Sequence, residues 1–152
     1  MTVSTQTMSR EQRKSVALEY FKRLDHGGDV LELFAEDAIV YFPKWGEAHG
    51  KDEIARLFGD IAKLFQTISH AKEYLNFIID EDMVAVEGGS SGVAADGTEW
   101  RVGQSVGGRF VDVFEIRDYK IQRCYIYLDP DYASKDTARY PWLGGDRHAR
   151  RG

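Results

Sequence analysis

The chain has 152 residues, of which 43% are hydrophobic and 30% are charged, and its formal net charge is −5. A chain of this length can bury a hydrophobic core without disulfides or metal ions to stabilise it. The composition is that of a globular protein rather than a disordered or membrane-embedded one. The acidic balance disfavours a nucleic-acid surface, which needs concentrated basic charge. The basic cluster at residues 147–151 is predicted to be a solvated tail.

The cysteine count and the N-terminus indicate a reducing compartment. Cys124 is the only cysteine, so no intrachain disulfide can form. Residues 1–7 lack the basic start and apolar run of a secretory signal, and no stretch approaches the ~18 apolar residues of a membrane span. We therefore expect a cytoplasmic protein without a membrane partner. We expect one domain over residues 1–152, with flexible ends at residues 1–8 and 145–152.

Two helices are predicted at the start of the chain. Ser9 and Gln12 have the spacing of a capping box, and the helix that follows is predicted to end at Gly27. Asp29 can cap a second, short helix that runs through Phe34. The first helix carries an apolar stripe that includes Tyr20, so this face is expected to be buried.

A strand and a third helix follow. Residues 38–42 are rich in β-forming side chains, and Pro43 ends the strand because proline cannot donate to a ladder. Asp52 and Glu53 then stand in the first turn of a helix, where free N–H groups and the helix dipole favour carboxylates. The apolar residues of this helix form one stripe over three turns: Ile54, Leu57, Phe58, Ile61, Leu64 and Phe65.

From residue 70 onward the hydrophobic period changes to two, which predicts an antiparallel sheet. The Asp96-Gly97 pair indicates a hairpin, because a primed turn needs a positive φ at both positions. Glycines inside the long strands are typical of bulges and bends, so we expect a curved sheet that leaves a cavity. The predicted strands lie near residues 70–80, 82–94, 98–117 and 120–129.

Three fragments carry a resemblance to a known family: residues 33–38 (LFAEDA), 49–54 (HGKDEI) and 112–116 (DVFEI). They resemble the SnoaL-like and ketosteroid-isomerase-like members of the NTF2-like superfamily, and the resemblance spans roughly residues 9–130. It implies an α+β, cone-shaped fold with a curved antiparallel or mixed sheet packed by three N-terminal helices around a pocket. This superfamily includes isomerases, cyclases, dehydratases and non-catalytic binders, so the fold alone does not determine the activity.

The resemblance also implies site residues. In ketosteroid isomerase a carboxylate on the first strand moves a proton, while a tyrosine and a protonated aspartate hold the oxyanion. By motif, Asp112 falls where that aspartate lies, and Tyr20 lies near the tyrosine of the first helix. Phe42 occupies the position of the first-strand base. This departure removes the proton shuttle of the family, so we do not predict steroid isomerisation.

Strand parity supports the placement of Asp112 independently of the resemblance. If Asp112 points inward, its apolar neighbours on the strand do so as well, and they would desolvate the carboxyl and raise its pKa. Asp112 is therefore a candidate general acid or oxyanion donor. The alternative is a structural ion pair with Arg101 or Arg109. The expected substrate-binding wall consists of apolar side chains and aromatic rings: Phe42, Trp45, Phe110, Phe114, Cys124, Ile126 and Leu128.

Three further residues are candidates for the chemistry. The Tyr20 hydroxyl is either a second hydrogen-bond donor in the cavity or part of the core. His49 is a candidate general base, or it helps to cap the third helix. Glu87 lies in the middle of a strand and faces either the cavity or the outer surface. The histidines lack metal-ligand spacing and no nucleophile motif occurs, so no metal and no cofactor are expected.

The sequence therefore predicts a cofactor-free lyase, dehydratase, cyclase or isomerase that uses acid–base chemistry on a small apolar molecule, aromatic or polycyclic. A non-catalytic small-molecule-binding or accessory protein is the alternative, because Phe42 replaces the first-strand carboxylate.

The resemblance further implies a homodimer. The amphipathic outer face of the sheet would form its interface, or else the C-terminal segment would cover this face within one chain. The aromatic segment at residues 127–132 and 140–145 is expected to close the cavity mouth or to cross to a partner subunit. The residues expected on the outer face are Val111, Val113, Tyr125 and Tyr127.

Overall fold

The computed structural model describes residues 7–136 and 139–140. Two α-helices, α1 (Arg10–His26) and α2 (Gly50–Ile61), pack on one face of a sheet. The strands are β1 (Phe34–Phe42), β2 (Gly46–His49), β3 (Phe65–His70), β4 (Asn76–Asp80), β5 (Met83–Ala94), β6 (Glu99–Trp100), β7 (Arg109–Arg117) and β8 (Lys120–Leu128). Short 3-10 turns occur at Val30–Leu33, Ala62–Leu64 and Lys72–Tyr74.

The sheet has the order β2-β1-β8-β7-β5-β3, and β4 and β6 also pair with β5. Among the described strands, β1 and β8 pair in parallel and the other pairs are antiparallel. The long strand β5 changes partners along its length. Its first half pairs with β4 and β7, and its second half pairs with β3 and β6. The two glycines at the change, Gly88 and Gly89, fit a bend at this point.

Helix α1 begins and ends as its sequence predicts. The Gln12 backbone N–H donates to Ser9 Oγ at 3.1 Å, and the Ser9 N–H donates to Gln12 Oε1 at 2.8 Å, which completes the capping box. Gly27 follows the helix with φ +83°, a conformation that favours glycine. The buried face of α1 carries Tyr20 and Phe21, which connect the helix to the sheet.

The second predicted helix is only a 3-10 turn, so residues 7–136 contain two α-helices rather than three. Asp29 caps this turn by accepting a hydrogen bond from the Glu32 N–H at 3.3 Å. Phe34, predicted to end a helix, instead begins β1. The strand was predicted too short because Glu36 and Asp37 interrupt its apolar pattern. They lie where the pairing of β1 with β8 shifts in register.

Two predicted strands are each broken by a turn. The segment 70–80 contains the end of β3, a 3-10 turn and β4. The segment 98–117 contains β6 and β7, separated by residues 101–108, where Gly103 and Gly108 have positive φ. The alternation of apolar and polar residues does not reveal such turns, because it continues in the strands on both sides of the turn.

The hairpin predicted at Asp96-Gly97 exists, but its turn is not of the primed type. Gly97 has φ +91°, whereas Asp96 is not among the residues with positive φ. Instead, Asp96 Oδ1 accepts a hydrogen bond from the Thr98 N–H at 3.0 Å, so the aspartate stabilises the turn through its side chain.

The core extends closer to the N-terminus than predicted. Met8, expected within a flexible segment, is buried, and its carbonyl oxygen accepts a hydrogen bond from Arg13 Nη1 at 2.8 Å. Of the residues expected to be flexible, 1–6 and 145–152 lie outside the described residues. No helix in the described part of the chain combines the length and apolarity needed to cross a bilayer. Within the same ranges, no group of three or more His, Cys, Asp or Glu side chains has a metal-binding arrangement.

The pairing of β3, β5 and β6 depends on Gly92, which leads to a prediction. A Cβ atom at Gly92 would collide with the Thr67 carbonyl oxygen and lie 2.6 Å from the Trp100 ring. We expect Gly92→Ala to lower the free energy of unfolding by about 2–3 kcal/mol in urea denaturation. The matched control is Gly59→Ala, in the exposed part of α2 with open space around its Cβ, which should raise stability by about 0.5–1 kcal/mol. Equal effects of the two substitutions would contradict this packing argument.

Candidate functional site

A cavity of about 150 Å³ lies between the helices and the inner face of the sheet. Its wall is mostly apolar, with contributions from both helices, from β1, β3, β5, β7 and β8, and from the segment after β8. A mostly apolar cavity with a few convergent polar groups is the usual design of a small-molecule site. The polar groups in this wall are Tyr20, His70, Ser90, Asp112 and Tyr132.

Asp112 lies in the middle of β7, opposite Val86 on one side and Ile126 on the other. The residue is only 4% exposed, and within the described part of the chain its carboxyl forms no hydrogen bond or ion pair. Arg101, one of its expected structural partners, pairs with Glu99 instead. Burial raises the pKa of Asp112 to about 8, so the carboxyl is protonated at neutral pH.

The hydroxyl of Tyr20 lies near Asp112. Tyr20 is buried on α1, and Cys124 Sγ donates to its hydroxyl oxygen at 3.9 Å. Burial raises the pKa of Tyr20 well above its usual value, and the charges of Cys124 and Asp112 raise it further. Burial and the charge of Asp112 raise the pKa of Tyr132 in the same way. Two tyrosines with raised pKa values and a neutral carboxyl therefore line one cavity.

A second polar group, not predicted from the sequence, enters the cavity at the end of β3. His70 lines the cavity, and its Nδ1 lies 2.6 Å from Asp25 Oδ1. The Asp25 side chain is only 1% exposed and accepts two further hydrogen bonds at Oδ2, from the His70 backbone N–H at 2.8 Å and from Lys72 Nζ at 2.6 Å. Burial alone would raise the pKa of Asp25, but the bonds from His70 and Lys72 outweigh it and lower the pKa to about 2.

The geometry of this pair determines which histidine nitrogen is available. Because Asp25 is ionised, it accepts a proton-bearing Nδ1, which leaves Nε2 as the nitrogen available to the cavity. The His70 ring packs against Phe21 at 5.0 Å and against Phe110 at 5.2 Å between centroids. Phe110 and Asp112 are two residues apart on the same face of β7, or about 7 Å along the strand. His70 and Asp112 therefore border the same cavity.

The structure places two of the predicted catalytic residues outside the cavity. The His49 side chain is 58% exposed at the start of α2 and lies 3.1 Å from Glu47, while its backbone N–H donates to Glu53. The unpredicted strand β2 carries His49 to the edge of the sheet. Glu87 is exposed because Val86, its neighbour in the strand, faces inward, and its carboxylate accepts a bond from the Asn76 amide at 3.5 Å. Neither residue can act as the expected base within this cavity.

The structure places only some of the predicted wall residues in the cavity. Trp45 is 48% exposed and packs on Phe42 from outside, at 5.4 Å between ring centroids. Phe114 and Cys124 face inward as parity predicts, but they are fully buried in the core behind the cavity. Four predicted residues do line it: Phe42, Phe110, Ile126 and Leu128.

Sequence reasoning missed Asp25, His70 and Tyr132. One signal for Asp25 was present, since it follows Phe21 by four residues and therefore lies on the buried face of α1. An aspartate in that position needs a partner, but His70 is 45 residues away in the chain and no local spacing connects the two. Tyr132 belongs to the segment that was expected to close the cavity mouth, and the structure places Tyr132 among the residues that line the cavity. Residues 141–145 of that segment lie outside the described residues.

Solved structures with the same architecture identify the fold. An NTF2-like protein from Anabaena variabilis is 22% identical, with a TM-score of 0.66 over 84% of this chain and 97% of that one. An NTF2-like protein of unknown function from Burkholderia pseudomallei is 18% identical, with a TM-score of 0.67 over 81% and 93% of the two chains. A Jannaschia protein assigned as a SnoaL-like polyketide cyclase is 16% identical, with a TM-score of 0.66 over 85% and 98%. The chain therefore has the NTF2-like fold.

The family follows from the sequence match. The family model of the SnoaL-like domain matches residues 18–124, which is more than half of the chain, so the protein belongs to the SnoaL-like family. No curated protein matches the chain. The family supports a fold of the small-molecule cyclase or isomerase type, and it leaves the particular reaction open.

The burial of Asp112 predicts a dependence of stability on pH. The ordinary pKa of 3.8 applies to the unfolded chain, and the folded value is about 8. Between these values the folded state binds one more proton, so the free energy of unfolding falls as pH rises, by about 1.4 kcal/mol per pH unit from this group. We expect Asp112→Asn to lack this slope in urea denaturation between pH 5 and pH 7. Parallel pH profiles for the wild type and Asp112→Asn would show that the carboxyl is not buried in its protonated form.

Proposed function

We propose that this protein is an acid–base enzyme that acts on a small, mostly apolar molecule. The observation that carries the proposal is that a protonated carboxyl, on Asp112, and a histidine held by a buried carboxylate, His70 with Asp25, border one apolar cavity. A proton donor and a proton acceptor that border the same cavity form the arrangement that acid–base catalysis needs. His70 takes the role that the sequence had suggested for His49 or Glu87.

His70 is the base in this proposal. Its Nε2 removes a proton from a substrate carbon, and the positive charge that develops on the ring is stabilised by Asp25 across the 2.6 Å contact. Lys72, bonded to the same carboxylate, keeps Asp25 ionised throughout. Asp25 is a positioning residue, since it acts on the substrate only through His70.

Asp112 is the acid or the oxyanion donor. When the C–H electrons move to form a carbon–carbon double bond, negative charge develops on a carbonyl oxygen, and the neutral Asp112 carboxyl can donate its proton there. The Tyr20 hydroxyl is a second donor toward the same space. Return of the proton to another carbon gives an isomerase, and expulsion of water gives a dehydratase. These outcomes fit the lyase, dehydratase, cyclase or isomerase chemistry that the sequence predicts.

The test needs no knowledge of the natural substrate. Cyclohexanone in D₂O exchanges its α-hydrogens when a base and an oxyanion donor are positioned around it, and NMR follows this exchange. We expect the wild type to accelerate the exchange over buffer, and we expect His70→Gln and Asp112→Asn each to reduce the protein-catalysed rate by about 10²-fold or more. The matched control is His49→Gln, an exposed histidine, which should leave the rate unchanged.

Two results would contradict the proposal. A loss of tenfold or less in Asp112→Asn would remove Asp112 from the chemistry, and equal rates for His70→Gln and His49→Gln would remove His70. The alternative function is a non-catalytic binding protein, which Phe42 favours because it places an aromatic ring where the related isomerase has its base. Binding of cyclohexanone without any exchange above the buffer rate would support that alternative.

The pH dependence of the exchange gives an independent prediction. Asp112 acts in its protonated form, and its pKa is about 8. The catalysed rate at low probe concentration should therefore fall above pH 8, by about tenfold per pH unit, because the acid is lost by deprotonation. In Asp112→Asn the residual rate should lack this decline. An unchanged wild-type rate from pH 7 to pH 10 would contradict the role of Asp112 as the acid.

We also propose that the protein forms a homodimer through the outer face of the sheet. Tyr127 is 50% exposed there, and Tyr41 packs on it and on Tyr125 at 5.8 and 5.7 Å between centroids. We expect sedimentation to give twice the chain mass of 17.3 kDa, and Tyr127→Glu to shift the protein toward the monomer. Wild-type sedimentation as a monomer at high concentration would refute this interface.

A further inference from the structure

The cavity is small for a polycyclic ligand. Its volume is about 150 Å³, and an engineered apolar cavity of that size in another protein holds benzene. Side chains from both helices, Leu24 and Phe58, close one side, and Ile126 and Leu128 of β8 close another. The space therefore fits one six-membered ring with a small substituent, which is narrower than the aromatic or polycyclic range expected from the sequence.

Tyr132 is the one described residue after β8 that lines the cavity. Its ring packs edge-on against Phe65 at 5.8 Å and lies against Trp100 at 5.3 Å. Its backbone passes so close to Gly107 that a Cβ there would overlap the Tyr132 carbonyl oxygen. The ring thus fills the space between β3 and the loop after β6, where a longer ligand would otherwise extend.

The turn that carries Tyr132 is held in place by its own bonds. Asp131 Oδ2 accepts a hydrogen bond from the Asp136 N–H at 3.1 Å, and the Asp131 carbonyl oxygen accepts one from the Ser134 N–H at 2.9 Å. Lys135 forms an ion pair with Asp96 in the hairpin between β5 and β6. Because the turn is connected to the sheet on this side, the position of the Tyr132 ring is defined by several contacts.

The charge of the wall restricts the ligand as well. No lysine or arginine is among the described residues that line the cavity. Of the two carboxyl groups nearby, that of Asp112 is neutral and that of Asp25 is already paired with His70 and Lys72. An anionic ligand would lose its hydration without gaining a lysine or arginine partner, which is costly in an apolar site. A hydroxyl or carbonyl group, in contrast, can bond to Asp112, Tyr20 or His70.

We infer that the cavity takes an uncharged, single-ring molecule with a hydroxyl or carbonyl group, and that Tyr132 determines the upper limit of its size. The inference rests on the proposed function in that it concerns the same cavity and the same hydrogen-bonding groups. It adds a residue that selects the substrate by size, and it predicts that the selection can be changed without altering Asp112 or His70.

Direct binding tests the inference separately from catalysis. Isothermal titration calorimetry at pH 6 would use phenol, 2-naphthol and benzoate, which are one uncharged ring, two uncharged rings and one charged ring. We expect the wild type to bind phenol at least tenfold more tightly than either of the other two. Tyr132→Ala should bind 2-naphthol at least tenfold more tightly than the wild type does, and it should still discriminate against benzoate.

Further variants separate size from other effects. Tyr132→Phe keeps the ring and should keep the wild-type order of affinities, whereas Tyr132→Leu shortens the side chain with less risk to folding and should admit 2-naphthol in part. Tyr74→Ala removes an exposed tyrosine outside this cavity and should change nothing. Because His70→Gln leaves the wall intact, it should retain the size limit even if it abolishes exchange.

Two results would overturn the inference. Binding of 2-naphthol by the wild type as tightly as phenol would show that the cavity accepts two rings. An unchanged order of affinities in both Tyr132→Ala and Tyr132→Leu would show that another residue sets the limit. Either result leaves the acid–base proposal standing, since hydrogen exchange measures that proposal alone.

Discussion

The carboxyl of Asp112 is buried without a counter-charge, and this constraint governs the composition of the whole cavity. Such a group is tolerated in an apolar environment when it carries its proton, because a buried unpaired charge costs several kcal/mol. A lysine or arginine beside it would favour its ionised form, and neither residue type lines the cavity in the described part of the chain. The negative charge of the site lies instead one layer behind, on Asp25, where His70 and Lys72 satisfy it. Two carboxyl groups thus have opposite protonation states because one has donors and the other has none.

The long strand β5 explains how groups distant in sequence come to face each other. Residues that lie opposite one another on paired strands share a face of the sheet. Asp112 is paired with Val86 on one side of β5, and His70 is paired with Ser90 on the other side. Val86 and Ser90 are four residues apart and both buried, so they point to the same face. The bend between them turns that face into a concave wall.

Much of the fold was predictable because it depends on local patterns. The cap of α1 at Ser9, the apolar stripe of α2 and the alternation around Asp112 are each determined by residues within a few positions of one another. The fragments in residues 33–38, 49–54 and 112–116 were sufficient for the family. Turns inside apparently continuous strands were missed, because a loop such as residues 101–108 interrupts the backbone without interrupting the alternation.

The candidate site was predictable only where one strand determines it. Asp112 could be found from parity, whereas His70 depends on a contact with Asp25 across 45 residues, and only three-dimensional packing brings the two together. The histidine chosen from the sequence, His49, stands in the fragment 49–54 that resembles the family but lies on the edge strand β2. Its chemical type was right for a base, and its position was not.

The parallel pairing of β1 with β8 has a consequence for how the chain assembles. Phe34 is paired in register with Ile121, so the first strand finds its second neighbour in the sheet only after most of the described chain has been made. During synthesis on the ribosome, one edge of β1 stays unpaired until β8 has emerged. Such long-range pairing slows folding and exposes an unpaired strand to other chains in the meantime. Protein production at low temperature and slow translation should therefore favour the native product over aggregates.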